Sequence, residues 1–378
     1  TTFFCKGLQV RAVVHGDDFV FLGPGSALGQ VRRHMQKWYE LKVRSMLGPD
    51  PGDDKQATIL GRILRWGSTA LTYEADPKHA KLLIEGLGLE AGSAGVQMPC
   101  SVDHYALDGT ESEELSREEG SVYRQLAARA NYLAQDRPDL QFAVKELCRE
   151  MSAPTTRSWR RLKRVARYLL QYPVLSYRFE RQRDQPVVEV FVDSDHAGCR
   201  QYRKSTTGFA LMHGGHCLKT GSSTQTTIAM SSGEAELYAV VRGASEGLGL
   251  QALADDLGVT KSVRIWTDSA AAKGMISRTG AGRQRHLEVK YLWVQQACRE
   301  ERFVVRKVAG ERNPADLLTK PLSGEVVSRW LSGLTCERVS RVAELSAVGP
   351  RGSVGNRPPY NSANSYTSMI TVQGDRHA

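Results

Sequence analysis

The sequence predicts an α/β protein: a five-stranded mixed sheet with flanking helices in the second half, an α+β region before it, and a disordered tail after it. Three observations lead there. Apolar, β-branched runs of strand length recur near 187–195, 207–213, 225–230, 263–267 and 303–308. Apolar residues at helical spacing lie between and before them. Past Leu334 the periodicity fades into GPRGSVGNRPPYNSANSYTS, so residues 335–378 read as a disordered tail.

The N-terminal elements follow in order. LQVRAVV and FVFL flank His15-Gly16-Asp17-Asp18, the layout of a β-hairpin with an acidic pair at its turn, although Gly-Asp is also ordinary turn chemistry. Leu28, Val31, Met35 and Trp38 are spaced for one helix face between Leu28 and Leu41. GPDPGDD at 48–54 reads as a loop, Thr58 to Trp66 and Ala70 to Tyr73 as short strands, and Pro77 to Leu87 as a helix opening on proline. Residues 1–100 are grouped as one region. Residues 101–120 hold seven acids against one base, Arg117, and read as an exposed acidic linker. In residues 121–185 three helices are expected, carrying Val122, Leu126 and Leu133, then Leu140, Val144, Leu147 and Met151, then Trp159, Leu162, Val165, Ala166 and Leu169. The third has a basic opposite face, with Arg160, Arg161, Lys163, Arg164 and Arg167. From Arg157 to Arg183 nine basic residues stand against one acid, Glu180. That face suits a phosphate backbone and is equally compatible with a solvated helix.

Composition narrows the class. Of 378 residues 41% are hydrophobic, enough for ordinary cores in about two domains. Lysine and arginine number 51 against 41 acids, a net charge of +10 that fits a polyanionic partner. The seven cysteines are scattered with no C-x-x-C pair, which argues for reduced thiols and against a structural zinc site. No apolar run approaches the roughly 20 residues that span a bilayer, and no secretory signal layout opens the chain. A soluble intracellular protein is expected, cytoplasmic or nuclear, with no membrane partner.

Four acids punctuate the second half at similar places: Asp193 ending a strand, Glu236 in the first turns of a helix, Asp268 ending a strand, and Asp316 starting a helix. Such acids, brought together by a fold, can hold two Mg²⁺ ions roughly 3.5–4 Å apart for phosphodiester chemistry. Glu234 fits the capping box of Ser231-Ser232-Gly233-Glu234 and has a structural role there. Two residues along a helix point different ways, so Glu236 is not part of that cap. Asp268 and Asp316 each admit a helix-capping reading of their own. Asp195 follows Asp193 on the same strand face and is a further candidate ligand.

The stretches VDSDHAG, RKSTTGF, MSSGEAELYA, WTDSAAA, RHLEVKYLWV and NPADLLTK resemble the ribonuclease H domain of copia-type LTR retrotransposon Pol polyproteins, over about Val187 to Leu322. The resemblance implies a ribonuclease H-like domain at 186–322 with Asp193, Glu236, Asp268 and Asp316 as catalytic and metal-binding residues. It also implies Mg²⁺-dependent cleavage of the RNA strand of RNA–DNA hybrids, with Mn²⁺ as the alternative ion. Arg203, Lys204 and Ser205, with Arg285 and His286, fall at its basic motif positions and are assigned to substrate contacts. In the first half, YRQLAARANYLAQDRPDLQFAVKELCREM and WRRLKRVARYLL resemble the segment joining reverse transcriptase to ribonuclease H, and VVHGDDFVFL the palm hairpin of the polymerase. There the chain departs from the pattern: His15 stands where the family has an aromatic residue, and residues 1–14 hold no acid to serve as the third metal ligand. Asp17 and Asp18 are therefore expected to be vestigial, and polymerisation by this chain alone is not expected.

The leading expectation is thus the C-terminal part of a retrotransposon polyprotein, an incomplete polymerase followed by a complete ribonuclease H. The remainder of the reverse transcriptase is a candidate partner, and a virus-like particle in the cytoplasm a candidate location. Two rivals stand beside it: a decayed or host-adopted nucleic-acid-binding protein using the basic face, and an integrase- or transposase-type nuclease.

Overall fold

A computed structural model describes residues 1–90, 92–101, 112–199, 201–340 and 367–376. The chain divides into two compact units: residues 1–73 with 252–260 and the C-terminal segment, and residues 74–251 with 261–341. The helical region expected as a separate domain therefore falls in the same unit as the expected ribonuclease H segment. Among the described residues no helix is long and apolar enough to cross a membrane.

The first unit contains β1 (Thr2–Cys5), β2 (Val10–His15), β3 (Asp18–Pro24), α1 (Gly25–Met35), β4 (Tyr39–Leu47), β5 (Gln56–Ile59), β6 (Arg62–Trp66) and most of β7 (Ala70–Glu74). Strands β2 and β3 form the expected hairpin, pairing from Arg11↔Leu22 to His15↔Asp18, with Gly16 in the left-handed region at φ +62°. Strand β4 was not foreseen. Tyr39, Leu41, Val43 and Leu47 alternate with Glu40, Lys42 and Arg44, a period-2 pattern hidden because Leu41 also continues the helical spacing of α1.

The second unit opens with α2 (Pro77–Gly86), α3 (Arg117–Ala134), α4 (Pro138–Arg149), α5 (Thr156–Gln171) and β8 (Val174–Glu180). Residues 102–111 of the acidic linker lie outside the described residues. Its end is helical, because Ser116 and Glu119 form a capping box that starts α3. The buried pair in Arg137-Pro138-Asp139 fastens these helices: Arg137 donates to both carboxylate oxygens of Asp139 at 2.9 and 2.7 Å, and to the carbonyls of Tyr172 and Pro173. Tyr168 of α5 also donates to Asp139, at 2.7 Å. Burial alone would raise the Asp139 carboxyl, but the guanidinium holds it below the usual carboxylate range.

Next come β9 (Val187–Ser194), β10 (Thr206–His213), β11 (His216–Thr224), most of α6 (Ser232–Asp256), β12 (Ser262–Thr267), α7 (Ala270–Ile276), α8 (Trp293–Arg299) and β13 (Val304–Lys307). A 3₁₀ turn at Pro314–Leu318, α9 (Gly324–Gly333) and β14 (Cys336–Val339) complete the unit, and β14 pairs with β8. The five-stranded mixed sheet runs β11-β10-β9-β12-β13, antiparallel on the β10 side of β9 and parallel on the β12 side. Val188, Val190 and Val192 of the central strand are buried against α6. Helix and strand touch closely because Gly243 and Gly247 lack side chains: a Cβ at Gly243 would come within 2.3 Å of Val192 Cγ1, and one at Gly247 within 2.9 Å of Val190 Cγ2.

The third strand lies at His216–Thr224, not at 225–230. Gly214-Gly215 makes so short a turn that the chain re-enters the sheet at once. Gly221-Ser222-Ser223, a run with the composition of a turn, sits inside β11, where Gly221 leaves room for the Phe209 ring. After α7 the chain makes a 3₁₀ turn at Val289–Tyr291 and becomes α-helical only over α8. The tail read as disordered supplies β14 and β15 (Thr367–Arg376) among its described residues, and β15 joins the first unit's sheet in the order β1-β2-β3-β15-β4. The apolar core of CERV and SMITV is too short to stand out against polar, Gly-rich flanks.

Replacing Asp139 by Ala leaves the Arg137 guanidinium buried without its counter-charge. The expected loss is about 3–5 kcal/mol in chemical denaturation of the second unit.

Candidate active site

The site is built at the end of the central strand. Asp193 is the penultimate residue of β9, 5% exposed, and its Oδ2 accepts the Thr319 hydroxyl from the turn after Pro314–Leu318. Asn313 caps that turn by accepting Ala315 N–H at 3.2 Å, and its Nδ2 donates to Val192 O at 2.8 Å, so it pins the turn to β9. Asp316 is thus free of the capping role that its position suggested. The same release operates at Asp268: Ser269 caps α7 by accepting Ala272 N–H at 3.1 Å. At α6 the Ser231 hydroxyl accepts Glu234 N–H at 3.2 Å.

With the caps supplied by neighbours, the acids converge. Asp193, Glu236 and Asp268 each offer one carboxylate oxygen, all within 4.8 Å of one another. Glu236 is anchored by Ser194 N–H at 3.1 Å and by the Thr267 hydroxyl at 3.4 Å. Burial pushes its carboxyl up to about 8, reinforced by the charges of Asp193 and Asp268. Asp268 is raised by burial and by Asp193, with Lys320 opposing. Asp316 lies outside the 4.8 Å group but touches its edge. Burial brings it to about 6, its Lys320 partner pulls down, and a hydrogen bond with Asp193 pushes up. The Lys320 ammonium sits 2.8 Å from Asp316 Oδ1 and remains about half exposed.

Other expected site residues take different places. Asp195 is not in the group. The strand ends at Ser194, and the Asp195 carboxylate turns back to accept Thr206 N–H at the start of β10, so it braces the 195–206 loop. Ser205 is fully buried and its hydroxyl accepts Ala197 N–H at 2.9 Å, which removes it from any substrate surface. Arg203 is exposed and Lys204 half-buried. Arg285 is exposed, while His286 pairs at 2.8 Å with Glu234, which also accepts from Tyr238 and from Met230 N–H. Burial raises the Glu234 carboxyl, yet these partners together hold it below its ordinary value. On α5 Arg160 and Lys163 are exposed. Arg161 is paired with Glu150, Arg167 donates to Ala94 O at 2.7 Å, and Arg164 is half-buried. In the first unit Asp17 is exposed at the hairpin turn and Asp18 ends the β2–β3 pairing.

Three residues that sequence reasoning passed over complete the site. Gln225 is buried, and its Nε2 donates to Ser194 Oγ, Thr207 Oγ1 and Ala235 O, tying β9, β10 and α6 together beside Glu236. Thr319 steadies Asp193. Lys320 could have been found, since it stands four residues after Asp316, within reach of an ion pair.

No family model matches the sequence. The chain is 25% identical over 326 residues, 84% of its length, to the retrovirus-related Pol polyprotein of transposon TNT 1-94 from Nicotiana tabacum. It is also 31% identical over 204 residues, 53% of its length, to that of transposon RE2 from Arabidopsis thaliana. The chain is similar to the retrovirus-related Pol polyproteins of these transposons. It spans about a quarter of the tobacco Pol polyprotein and 14% of the Arabidopsis one. Among solved structures, a ribonuclease H1 (LC11-RNase H1 in complex with an RNA/DNA hybrid) is similar at 19% identity and a TM-score of 0.28, covering 35% of this chain and 93% of the other.

The raised acids set a pH dependence for the metal-free protein. Glu236 at about 8, and Asp195 and Asp316 at about 6, all lie above their ordinary carboxyl values. The folded state therefore holds these protons more tightly than the unfolded chain, and their contribution to stability declines as pH rises from about 4–5 to about 8. Thermal melts in chelator are expected to fall across that window, and a divalent cation is expected to flatten the decline. A melting temperature that rises with pH there would contradict the assignment.

Proposed function

We propose that the carboxylate group at the end of β9 is a ribonuclease H site that hydrolyses the RNA strand of RNA–DNA hybrids. Asp193, Glu236, Asp268 and Asp316 would hold divalent ions, Mg²⁺ or Mn²⁺. The observation that carries this reading is the convergence of three carboxylates from β9, α6 and the end of β12 within 4.8 Å, with the caps of both helices supplied by other residues. The donor set suits the proposed ions: oxygen ligands of high charge are what a hard cation takes. The mutual elevation of these acids is the cost that a bound cation removes. When bound, the ions supply an acidified water and a counter-charge for the leaving oxygen. Similarity to the transposon Pol polyproteins supports a nucleic-acid enzyme.

The chain's own residues do the positioning. Thr319 fixes the Asp193 carboxylate, and Ser194 N–H and Thr267 fix that of Glu236. Glu236 must give up its proton to act as a ligand, so ion binding at neutral pH is expected to release protons. Lys320 balances Asp316 and is exposed enough to meet a substrate phosphate. Arg203, Lys204, Arg285, Arg160 and Lys163 are the phosphate contacts we assign. Polymerisation is not assigned, because Asp17 and Asp18 join no group of three acids among the described residues.

Hybrid cleavage in Mg²⁺ is expected to fall at least about 100-fold in Asp193→Asn, the scale for losing a group that stabilises transition-state charge. Unchanged cleavage would sink the assignment, and hybrid binding by the wild type without cleavage would favour a binding protein. Removing both Arg160 and Lys163 as alanines is expected to reduce the slope of log affinity against log salt by about 2, one for each phosphate contact.

A further inference from the structure

Strand β15 lies inside the first unit's sheet although it comes from the far end of the sequence. It pairs antiparallel with β3 from Thr367↔Pro24 to Gln373↔Asp18, and with β4 from Met369↔Leu47 to Arg376↔Tyr39. Without it, β3 and β4 would face each other across a gap one strand wide, each presenting a row of unpaired N–H and C=O groups. The gap has two different walls. On one, Ile370 and Val372 are 4% and 2% exposed and complete the apolar cluster of Phe21 and Leu28. On the other, Thr371 Oγ1 lies 2.7 Å from Ser45 Oγ, and Gln373 Nε2 donates to Asp17 Oδ2 at 2.7 Å.

We propose that the space between β3 and β4 is a strand-binding slot, and that residues 367–376 of the same chain are its resident plug. The plug keeps the edge of the Asp17–Asp18 hairpin from pairing with a strand of another copy or another protein. The slot fits one kind of occupant: an extended segment with aliphatic side chains two residues apart and a small hydroxyl residue between them. SMITVQ (368–373) meets that requirement and carries neither a charge nor a proline, and main-chain bonds to both neighbours supply its affinity. Left open, the same slot would template edge-to-edge association, because each unpaired strand edge accepts another chain. The proposal is independent of hybrid cleavage, since no residue of the carboxylate site takes part in it.

Two experiments on the full chain test it. In Ser45→Cys/Thr371→Cys, whose residues are register partners, oxidation is expected to give a 45–371 disulfide within one chain, mapped by mass spectrometry. A bond joining two chains, or none between these positions, overturns the resident plug. In Val372→Pro, which removes a ladder donor from the plug, a labelled SMITVQ peptide is expected to bind at least about tenfold more tightly than to wild type, because the wild-type slot is open only a small fraction of the time. Equal binding to both chains, or no binding to the variant, overturns the slot. Mg²⁺-dependent hybrid cleavage by the variant, measured in parallel, reports the second unit separately.

Discussion

Like charge brought close together is the constraint on which the second unit turns. Asp193, Glu236 and Asp268 stand within 4.8 Å, and their mutual repulsion must be borne by structure that has no other reason to be so specific. The seat of α6 on β9 is one part of that support: Gly243 and Gly247 let the helix settle against Val192 and Val190, which fixes how far Glu236 can be from Asp193. Gln225 is another, a buried amide spent on three partners from three elements. Asn313 is the third, tying the turn that carries Asp316 and Thr319 to the strand that carries Asp193. Each is a polar or small residue placed where an apolar one would pack more simply.

The helical layer belongs to the same support. Helix α4 packs on β11 and on the turn at Pro314–Leu318. Its Lys145 donates to Thr206 Oγ1 at 2.7 Å, beside the amide that holds Asp195. Asp195 is therefore a brace where the loop after β9 meets α4. The sequence led to a different expectation because strand parity was extended one residue beyond the strand's end.

Much of this was legible in the sequence, for physical reasons. Runs with strong β-branched character, such as VVEVFV and SVRIWT, and helices with apolar residues at helical spacing, such as α3 and α5, announced themselves locally. The convergence of Asp193, Glu236 and Asp268 was legible because each stands near an element's end and their motifs occur in order. What was hidden depended on distant partners. Strand β15 is a short apolar stretch whose identity as a strand comes from β3 and β4, more than 300 positions earlier. Strand β11 contains a Gly-Ser-Ser run that reads as a turn until the Phe209 ring is set beside it. Gln225 and Thr319 carry no signal of their own, since one amide or hydroxyl gains a role only through what folds onto it.

The acids at the end of β9 are proposed to form a divalent-cation site. Electron paramagnetic resonance of Mn²⁺ with the full chain and a hybrid bearing a non-cleavable RNA strand tests it most directly. Mn²⁺ is expected to be bound in wild type and lost when Asp193, Glu236 and Asp268 are replaced by Asn, Gln and Asn with the fold intact by circular dichroism. Equal Mn²⁺ binding by the two proteins would contradict it.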